Sequence, residues 1–302
     1  MGAGGQKADA AGTQHHSHGA SLGEQTVASV DREPFIPPTV YVSSETTGWL
    51  VPLRREERPE QWRALVESEA PVVTAVAFDP RLPEHMRDTE TGRGLIPTCS
   101  SSSRSVMARM IDALNLRPGL QVLEIGTGTG YNAALISHIT GPGTVTSVEV
   151  DPDLAGHART ALAAEGREVE VVTGDGAHGH PHNAPYDRLV AAAAVHTLPY
   201  AWVAQTRPGG TLVVPWAPIF HPDGPLAVLA VGADGTAQGR FVGPAHFMPL
   251  DSQRVDSARV NRLHEVWEGD TAPDCTRFGV TVTSKGQRVW LDEPDNPIKV
   301  EA

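Results

Sequence analysis

The stretch VLEIGTGTGYNAALIS, from Val122 to Ser137, constrains the fold of this chain more than any other segment. Val122, Leu123 and Ile125 have the apolar character of a buried strand, and three glycines follow at alternate positions. Glycine permits a tight turn and a close approach of the backbone to a ligand. A helix predicted to begin near Tyr131 then directs its N-terminus at that ligand. The segment therefore predicts a strand, a ligand-binding turn and a helix of an α/β protein.

The glycine spacing and two acidic residues indicate the kind of ligand. The turn reads G-x-G-x-G, which is neither the dinucleotide pattern G-x-G-x-x-G nor a phosphate-binding loop, since no Lys-Ser or Lys-Thr follows. Glu124 precedes the glycines and suits a ligand with a positive end. Glu149 ends the next predicted strand, where a carboxylate accepts hydrogen bonds from ribose hydroxyls. These features favour S-adenosylmethionine; the alternative is a glycine turn that only packs a helix on a strand.

Two later motifs are expected at the same edge of the sheet. Gly174-Asp175-Gly176 follows the strand VEVVT, so the Asp175 carboxylate is placed to accept from an adenine amino group. A turn aspartate without a ligand is the alternative. The run Ala191–Ala194 ends the following strand. Its small side chains leave room for a substrate or, alternatively, allow a helix to pack closely on the sheet.

Strands and helices alternate from Val122 to about Trp216, which predicts a mostly parallel, Rossmann-like sheet with helices on both faces. The turn Ala233–Gly235 indicates an antiparallel hairpin after it, and FGVTVTSKGQRVWL indicates another near the C-terminus. The predicted strands are 121–125, 145–150, 169–173, 187–193, 210–215, 226–232 and 239–243, and the predicted helices are about 131–140, 153–164 and 199–206.

Composition limits the partners of the chain. It carries 24 basic and 36 acidic residues, a net charge of −12, which argues against nonspecific binding to nucleic acid or an anionic membrane. The negative charge favours a basic partner; the alternative is that it only keeps the protein surface soluble. Two cysteines, Cys99 and Cys275, make no disulfide framework or zinc motif, so we expect a cytoplasmic protein without a metal. No apolar run approaches the ~18 residues of a membrane span, and no signal peptide is evident.

Several motifs occur together in an order that resembles a known family. VLEIGTGTGY, SVEVD, VVTGDGAHG, APYD, the alanine run, RPGGTLVVP and FMPL, over about residues 97–253, resemble the protein-L-isoaspartate O-methyltransferases. The resemblance implies a class I S-adenosylmethionine-dependent methyltransferase fold with terminal extensions. The cofactor-binding residues that it implies are Ser100, Glu124, Gly126, Thr127, Gly128, Gly130, Tyr131, Asn132, Glu149, Val150, Gly174, Asp175 and Gly176.

The family has a signature of the form T-I-S-x-P-H or T-I-S-x-P-Y before the glycine strand. The resemblance implies that its serine and the neighbouring residues hold the methionine end of the cofactor and the substrate carboxylate. Counted back from Ala108–Met110, Ser102 falls at the family's serine and Ser100 at its threonine. Arg104 and Ser105 replace the proline and the aromatic residue or histidine. The same serines also suit a helix N-cap. A slip of register leaves three candidate catalytic serines: Ser101, Ser102 and Ser103.

The chain divides into four predicted regions. The first 34 residues lack an apolar period, so we predict a disordered leader there. The extension after it contains a helix in PEQWRALVESEA, a strand over Val72–Phe78 and a loop over Asp79–Pro97, and the tail contains a helix near 256–267. The regions are the leader 1–34, the N-terminal extension 35–97, the methyltransferase domain 98–253 and the C-terminal extension 254–302.

Three functions are compatible with these residues. The terminal extensions resemble those of enzymes that tailor ribosomally made peptides such as lanthipeptides, lasso peptides and graspetides. This resemblance implies methylation of an aspartate side chain in a peptide, followed by cyclisation of the ester to an aspartimide. The alternative is repair of isoaspartate in damaged proteins. A binding module that has lost the reaction is a third possibility, against which Glu149, Asp175 and the glycine turn argue. The tail is expected to bind the peptide, or else to cover a sheet edge.

Overall fold

A computed structural model describes residues 19–217, 221, 224–254 and 273–298. The helices in this part of the chain are α1 (Leu22–Ser29), α2 (Pro59–Glu67), α3 (Arg104–Leu114), α4 (Tyr131–Thr140), α5 (Pro152–Ala164) and α6 (Tyr200–Ala204). None of these described helices is long and apolar enough to span a bilayer.

The described strands fall into two groups along the chain. The first four are β1 (Thr39–Ser43), β2 (Leu50–Arg54), β3 (Val72–Phe78) and β4 (Leu95–Ser101). The others are β5 (Val122–Ile125), β6 (Val145–Glu149), β7 (Val169–Thr173), β8 (Tyr186–Ala191), β9 (Thr206–Pro215), β10 (Pro225–Val231), β11 (Ala237–Pro244), β12 (Phe278–Thr283) and β13 (Gly286–Leu291).

Nine of the described strands form one sheet in the order β13-β12-β11-β10-β9-β8-β5-β6-β7. Strands β7, β6, β5, β8 and β9 run parallel, whereas β10 to β13 pair in antiparallel fashion. Every residue of β5, β6 and β8 is buried, because helices cover both faces of the parallel part. The predicted doubly covered α/β fold is thus present, and β9 begins earlier than predicted, at Thr206.

Alternation along the central strands divides the apolar side chains between two cores. In β5, Val122 belongs to the core shared with α3, α4 and α5, whereas Leu123 belongs to the core shared with α6. Leu123 lies in register with Leu189 of β8, which faces the same core. Because β5, β6 and β8 run parallel, their carboxyl ends lie at one common edge of the sheet. The glycine turn therefore meets the ends of β6 and β8.

The predicted disordered leader is wrong over residues 22–34, while 1–18 lie outside the described residues. Helix α1 has a capping box between Ser21 and Glu24 and packs against α3. The amide of Gly23 donates to Asp112 Oδ1 at 2.8 Å, and a Cβ on Gly23 would lie 2.0 Å from the carbonyl oxygen of Ala108. A helix this short is stable only through such packing, and its own apolar pattern is too weak to reveal it.

A second sheet, in the order β2-β1-β3-β4, comes from the N-terminal part of the chain. The predicted helix and the predicted strand Val72–Phe78 are both present, as α2 and β3. The predicted loop over Asp79–Pro97 is wrong at its end, since β4 begins at Leu95 and pairs with β3. Cross-strand pairing overrides the proline and glycine signals here. Strand β4 carries the start of the serine run toward α3.

The C-terminal hairpin is present as β12 and β13. Strand β12 pairs with β11, so the hairpin extends the central sheet and covers the edge that β11 would otherwise expose. Gly279 makes this arrangement possible, because a Cβ there would lie 2.1 Å from the Trp290 ring. The predicted helix at 256–267 lies outside the described residues.

Two helical glycines test whether α1 is part of the folded domain. Glycine to alanine in a helix normally stabilises by roughly 0.5–1 kcal/mol. We expect Gly156→Ala in α5 to do so, since nothing lies within 4 Å of its Cβ position. Gly23→Ala should instead destabilise by about 1–3 kcal/mol, because the methyl group overlaps the α3 backbone. Urea unfolding of both variants measures this; a stabilised Gly23→Ala would contradict the packing of α1 on α3.

Candidate active site

The glycine turn between β5 and α4 has a backbone that glycine alone adopts readily. Gly126 and Gly128 have φ angles of 89° and 54°, both in the left-handed region. A Cβ on Gly128 would lie 3.3 Å from the Sγ of Cys99. Strand β4 of the second sheet therefore lies directly over the turn. This contact brings the serine run and the glycine turn to the same place.

The Glu149 carboxylate holds the turn to the end of β6. Its Oε2 accepts a hydrogen bond from the Gly128 amide at 2.8 Å, and its Oε1 accepts one from the Asp151 amide at 3.1 Å. A carboxylate has about four acceptor positions, so Glu149 retains acceptor capacity for a ligand. The next side chain, Val150, is 52% exposed beside it. The Glu149 carboxylate suits the hydroxyl groups of a ribose, and the exposed apolar side chain of Val150 suits a base.

The carboxyl ends of β5, β6 and β8 surround one cavity, with β4 and the segment after β11 completing its wall. A second cavity of about 810 Å³ adjoins it and is bounded by β3, the 34–38 segment and α5. Both cavities share Gly128, Glu149 and Val150. The predicted site residues that line the first cavity are Ser100, Ser101, Ser102, Gly126, Thr127, Gly128, Tyr131, Asn132, Glu149, Val150 and Gly176.

Glu124 lies beneath the turn instead of on the cavity wall. It is fully buried, and its oxygens accept hydrogen bonds from Asn132 Nδ2 at 2.7 Å and from Ser147 Oγ at 2.5 Å. Burial raises the pKa of the Glu124 carboxyl to about 7, against the opposing effect of these hydrogen bonds. Glu124 thus joins β5, β6 and α4, and it orients Asn132, which does line the cavity.

Four other predicted residues also lie outside the cavity lining. Gly130 is the N-cap of α4, and a Cβ there would lie 3.3 Å from Leu162 of α5, so this glycine allows two helices to approach. Asp175 accepts a hydrogen bond from the Ala177 amide at 2.9 Å and caps a short helical turn. Gly174, which precedes it, does not line the cavity either. Ser103 is the N-cap residue of α3, but its side chain makes no capping bond.

The candidate serines differ in their hydrogen bonds. Ser101 is buried, and its Oγ accepts a hydrogen bond from Arg32 Nε at 3.0 Å. Ser100 and Ser102 are half-buried and line the cavity. Within the described part of the chain, their hydroxyls have no hydrogen-bond partner. Side chains alternate along an extended segment, so Ser100 and Ser102 share one side and Ser101 takes the other.

Sequence reasoning missed several cavity residues. Cys99 lines the cavity, and burial raises the pKa of its thiol to about 11, so it stays protonated at neutral pH. Phe247–Leu250 is the FMPL motif, and it joins the alanine run through hydrogen bonds of Ala194 with Met248 and Leu250. The order of motifs did single out FMPL, but only the fold reveals that it closes the cavity. Ala192 and Ala193 line the cavity, where the sequence predicted room for a substrate.

Comparison with known proteins identifies the family. A model described as "Protein-L-isoaspartate(D-aspartate) O-methyltransferase (PCMT)" matches residues 90–255. The chain belongs to the protein-L-isoaspartate O-methyltransferase family. The class I methyltransferase fold and the S-adenosylmethionine cofactor that the sequence predicts are those of this family, so both predictions are confirmed.

Curated relatives carry the same name. The chain is 42% identical over 147 residues to the protein-L-isoaspartate O-methyltransferase of Anaeromyxobacter dehalogenans, covering 48% of this chain and 69% of that protein. It is 34% identical over 207 residues to protein-L-isoaspartate O-methyltransferase 2 of Archaeoglobus fulgidus, covering 65% and 92%. The match to the Hyperthermus butylicus enzyme, 36% identical over 159 residues, covers 49% of this chain and 65% of the relative.

Solved structures share the fold. A protein-L-isoaspartate O-methyltransferase structure aligns with a TM-score of 0.55 and 21% identity, covering 91% of this chain and 84% of the other. A putative enzyme of the same name from Plasmodium falciparum aligns with a TM-score of 0.52 and 13% identity, covering 78% and 93%. At these identities the comparison demonstrates a common fold.

The cavity fits a phosphate-free cofactor. The turn residues Gly126 and Gly128 leave no side chain between the backbone and a ligand. Glu149 offers a carboxylate for hydroxyl donors, and the basic residue among the described lining, Arg254, is paired with Asp251 at 3.0 Å. A site without an available cation at the turn suits S-adenosylmethionine, which carries positive charge and no phosphate.

Glu149→Gln tests the expected ribose contact. The amide keeps the shape of the side chain but lacks the charge and one pair of acceptor positions. Loss of a hydrogen bond to a charged group costs about 1.5–3 kcal/mol, so we expect S-adenosylmethionine affinity to fall roughly ten- to a hundredfold by calorimetry. Glu168→Gln is the matched control, because Glu168 is exposed and lies just before β7, at the amino ends of the parallel strands and away from the glycine turn. Unchanged affinity in Glu149→Gln would refute the contact.

The buried Glu124 carboxyl should make stability depend on pH. Its pKa is raised from an ordinary 4.5 to about 7 in the folded protein, so the unfolded chain loses this proton at lower pH. The contribution of Glu124 to the free energy of unfolding is therefore complete below about pH 4.5. It decreases by about 3 kcal/mol as the pH rises toward 7. Glu124→Gln removes this loss. Urea unfolding from pH 5 to 8 should show the free energy of unfolding of the wild type declining relative to the variant; parallel profiles would contradict it.

Proposed function

We propose that the chain is a carboxyl methyltransferase that acts on an aspartyl or isoaspartyl residue of a peptide or protein. The observation that carries this proposal is the contact of β4 with the glycine turn. Cys99 lies against Gly128, and the cavity between them has Ser100 and Ser102 on one side and Glu149 on the other. An acceptor carboxylate bound by the serines would lie next to a cofactor bound at the turn.

The reaction requires positioning more than acid–base chemistry. S-adenosylmethionine, when bound, supplies an electrophilic methyl group on a sulfonium. The acceptor is a carboxylate with a pKa near ~4, already ionised at neutral pH, so the chain needs no general base. The Ser100 and Ser102 hydroxyls are free to donate to that carboxylate and to orient it. Holding two reactants in line contributes up to roughly 7–11 kcal/mol, which is the part of catalysis that this cavity supports.

Isoaspartate is the acceptor that the comparisons favour. The family model and the curated relatives are all named for it. The roles assigned above to Ser102 and Glu149 are compatible with this substrate. We therefore propose isoaspartyl methylation as the principal activity, with the catalytic role assigned to Ser102 over Ser101 and Ser103 because its hydroxyl lines the cavity without a described partner.

An L-aspartyl residue in a ribosomally made peptide is the second candidate. The additions outside the matched region favour it: β1, β2 and α2 precede residue 90, and β12 and β13 follow residue 255. In this case the next backbone amide nitrogen attacks the methyl ester, methanol leaves, and an aspartimide forms. The net charge of −12 favours a basic peptide as the partner.

Mass spectrometry with S-adenosylmethionine tests both candidates. We expect an isoaspartyl peptide to gain one methyl group, and Ser102→Ala to lose most of this turnover whereas Ser103→Ala retains it. Methylation of an L-aspartyl precursor peptide, followed by loss of methanol to a species one water lighter than the precursor, would instead establish aspartimide formation. No methylation of either peptide by a protein that binds the cofactor would refute both and favour a binding module.

A further inference from the structure

Arg32 is a buried cation that has no role in the reaction proposed above. It lies between α1 and the short helical turn Glu33–Phe35, outside the region that the family model matches. Its side chain is 1% exposed. Burial lowers the pKa of its guanidinium to about 10, so it remains charged at neutral pH. A buried charge is costly unless hydrogen bonds compensate for it, so its partners are informative.

Those partners converge on the serine run. Arg32 Nε donates to Ser101 Oγ at 3.0 Å, and Nη2 donates to the carbonyls of Ser101 at 2.8 Å and Ser102 at 3.0 Å. Nη1 donates to the carbonyls of Ser68 at 3.4 Å and Ala70 at 3.2 Å, which precede β3. Within the described part of the chain, the hydrogen-bond partners of this guanidinium are thus a hydroxyl and carbonyls, without a carboxylate.

The position of these carbonyls gives Arg32 its significance. Ser101 is the last residue of β4 and Ser102 the first residue after it, before α3 begins at Arg104. A planar guanidinium fixes the directions of the groups that it binds. Because it binds both carbonyls, it restrains the two peptide planes at the end of β4, next to the Ser102 side chain.

We propose that Arg32 is a positioning residue for the acceptor carboxylate, acting through the Ser101–Ser102 segment. This inference rests on the proposed function, in which the Ser100 and Ser102 hydroxyls orient that carboxylate. Binding Ser101 Oγ on one side of the extended segment leaves the Ser100 and Ser102 side chains on the other side. The guanidinium also places a positive charge behind the segment that receives an anion. Helix α1 and the second sheet are thereby connected to the site through one side chain.

Arg188 provides a matched control. It is 8% exposed, and its guanidinium donates to the carbonyls of Leu114 at 2.6 Å and Asp187 at 2.8 Å. Burial lowers its pKa as well. Arg188 does not line either cavity. Arg188→Gln therefore removes a buried arginine that binds carbonyls, but leaves the serine segment intact.

The experiment compares Arg32→Gln, Arg32→Lys and Arg188→Gln in the full chain with an isoaspartyl peptide. A displacement of about 1 Å at a reacting group costs up to about a hundredfold, so we expect kcat/KM for the peptide to fall ten- to a hundredfold in Arg32→Gln. Affinity for S-adenosylhomocysteine should change less than twofold, and Arg32→Lys should recover part of the loss. Arg188→Gln should lose stability with kcat/KM unchanged.

Hydrogen exchange over residues 98–106 gives a readout that does not depend on turnover. Arg32→Gln should exchange faster there than the wild type, and Arg188→Gln should not. A wild type without turnover would refute the proposed function alone, because the exchange result still tests the role of Arg32. Unchanged kcat/KM and unchanged exchange in Arg32→Gln, or the same loss of kcat/KM in Arg188→Gln, would overturn the inference. If Arg32→Gln does not fold, Arg32→Lys and Ser101→Ala replace it. Their kcat/KM and their hydrogen exchange over residues 98–106 are then compared with those of Arg188→Gln.

Discussion

The hydrogen bond between the Gly128 amide and the Glu149 carboxylate is the interaction on which the site depends. It joins the turn after β5 to the end of β6, two strands that lie in parallel register from Val122 with Val145 onward. The bond leaves part of the carboxylate free for a ligand, and the positive φ of Gly128 allows the backbone to face the cavity. Glu124, buried below, provides the second connection between these strands through Ser147.

The N-terminal part of the chain forms the side of the site that faces the glycine turn. Strand β4 lies against the turn at Cys99 and brings the serine run to the cavity, while Arg32 holds the segment that follows β4. The central sheet alone would bind a cofactor but would leave the acceptor side open. The second sheet therefore contributes the substrate side of the proposed reaction. Strand β4 lies within the region that the family model matches, whereas Arg32 precedes that region.

The strongest local patterns predicted the right elements. Strands β5 to β8 and helix α4 follow from apolar runs and from glycine punctuation, since a buried parallel strand and a covered helix have simple periodicities. Glu149 was assigned correctly to a strand end beside the turn. The two clear errors, the disordered leader and the end of the loop at residues 95–97, concern α1 and β4, which are stabilised by Asp112 and by pairing with β3. Those partners are distant in the sequence, and no local pattern reveals them.

The sequence by itself determined the α/β class of the fold, the preference for S-adenosylmethionine and the presence of a serine run before the glycine strand, because these depend on local spacing and on the chemistry of single residues. The class I methyltransferase fold followed from the resemblance of its motifs to a known family. Only the tertiary structure decided that Ser100, Ser101 and Ser102 line the cavity whereas Ser103 does not, and that Glu124 supports the turn from below. It also placed the FMPL segment on the cavity wall and Arg32 behind the site. The physical reason is that a side chain's direction and the partners of a buried charge depend on contacts between distant segments, which exist only after the two sheets have come together.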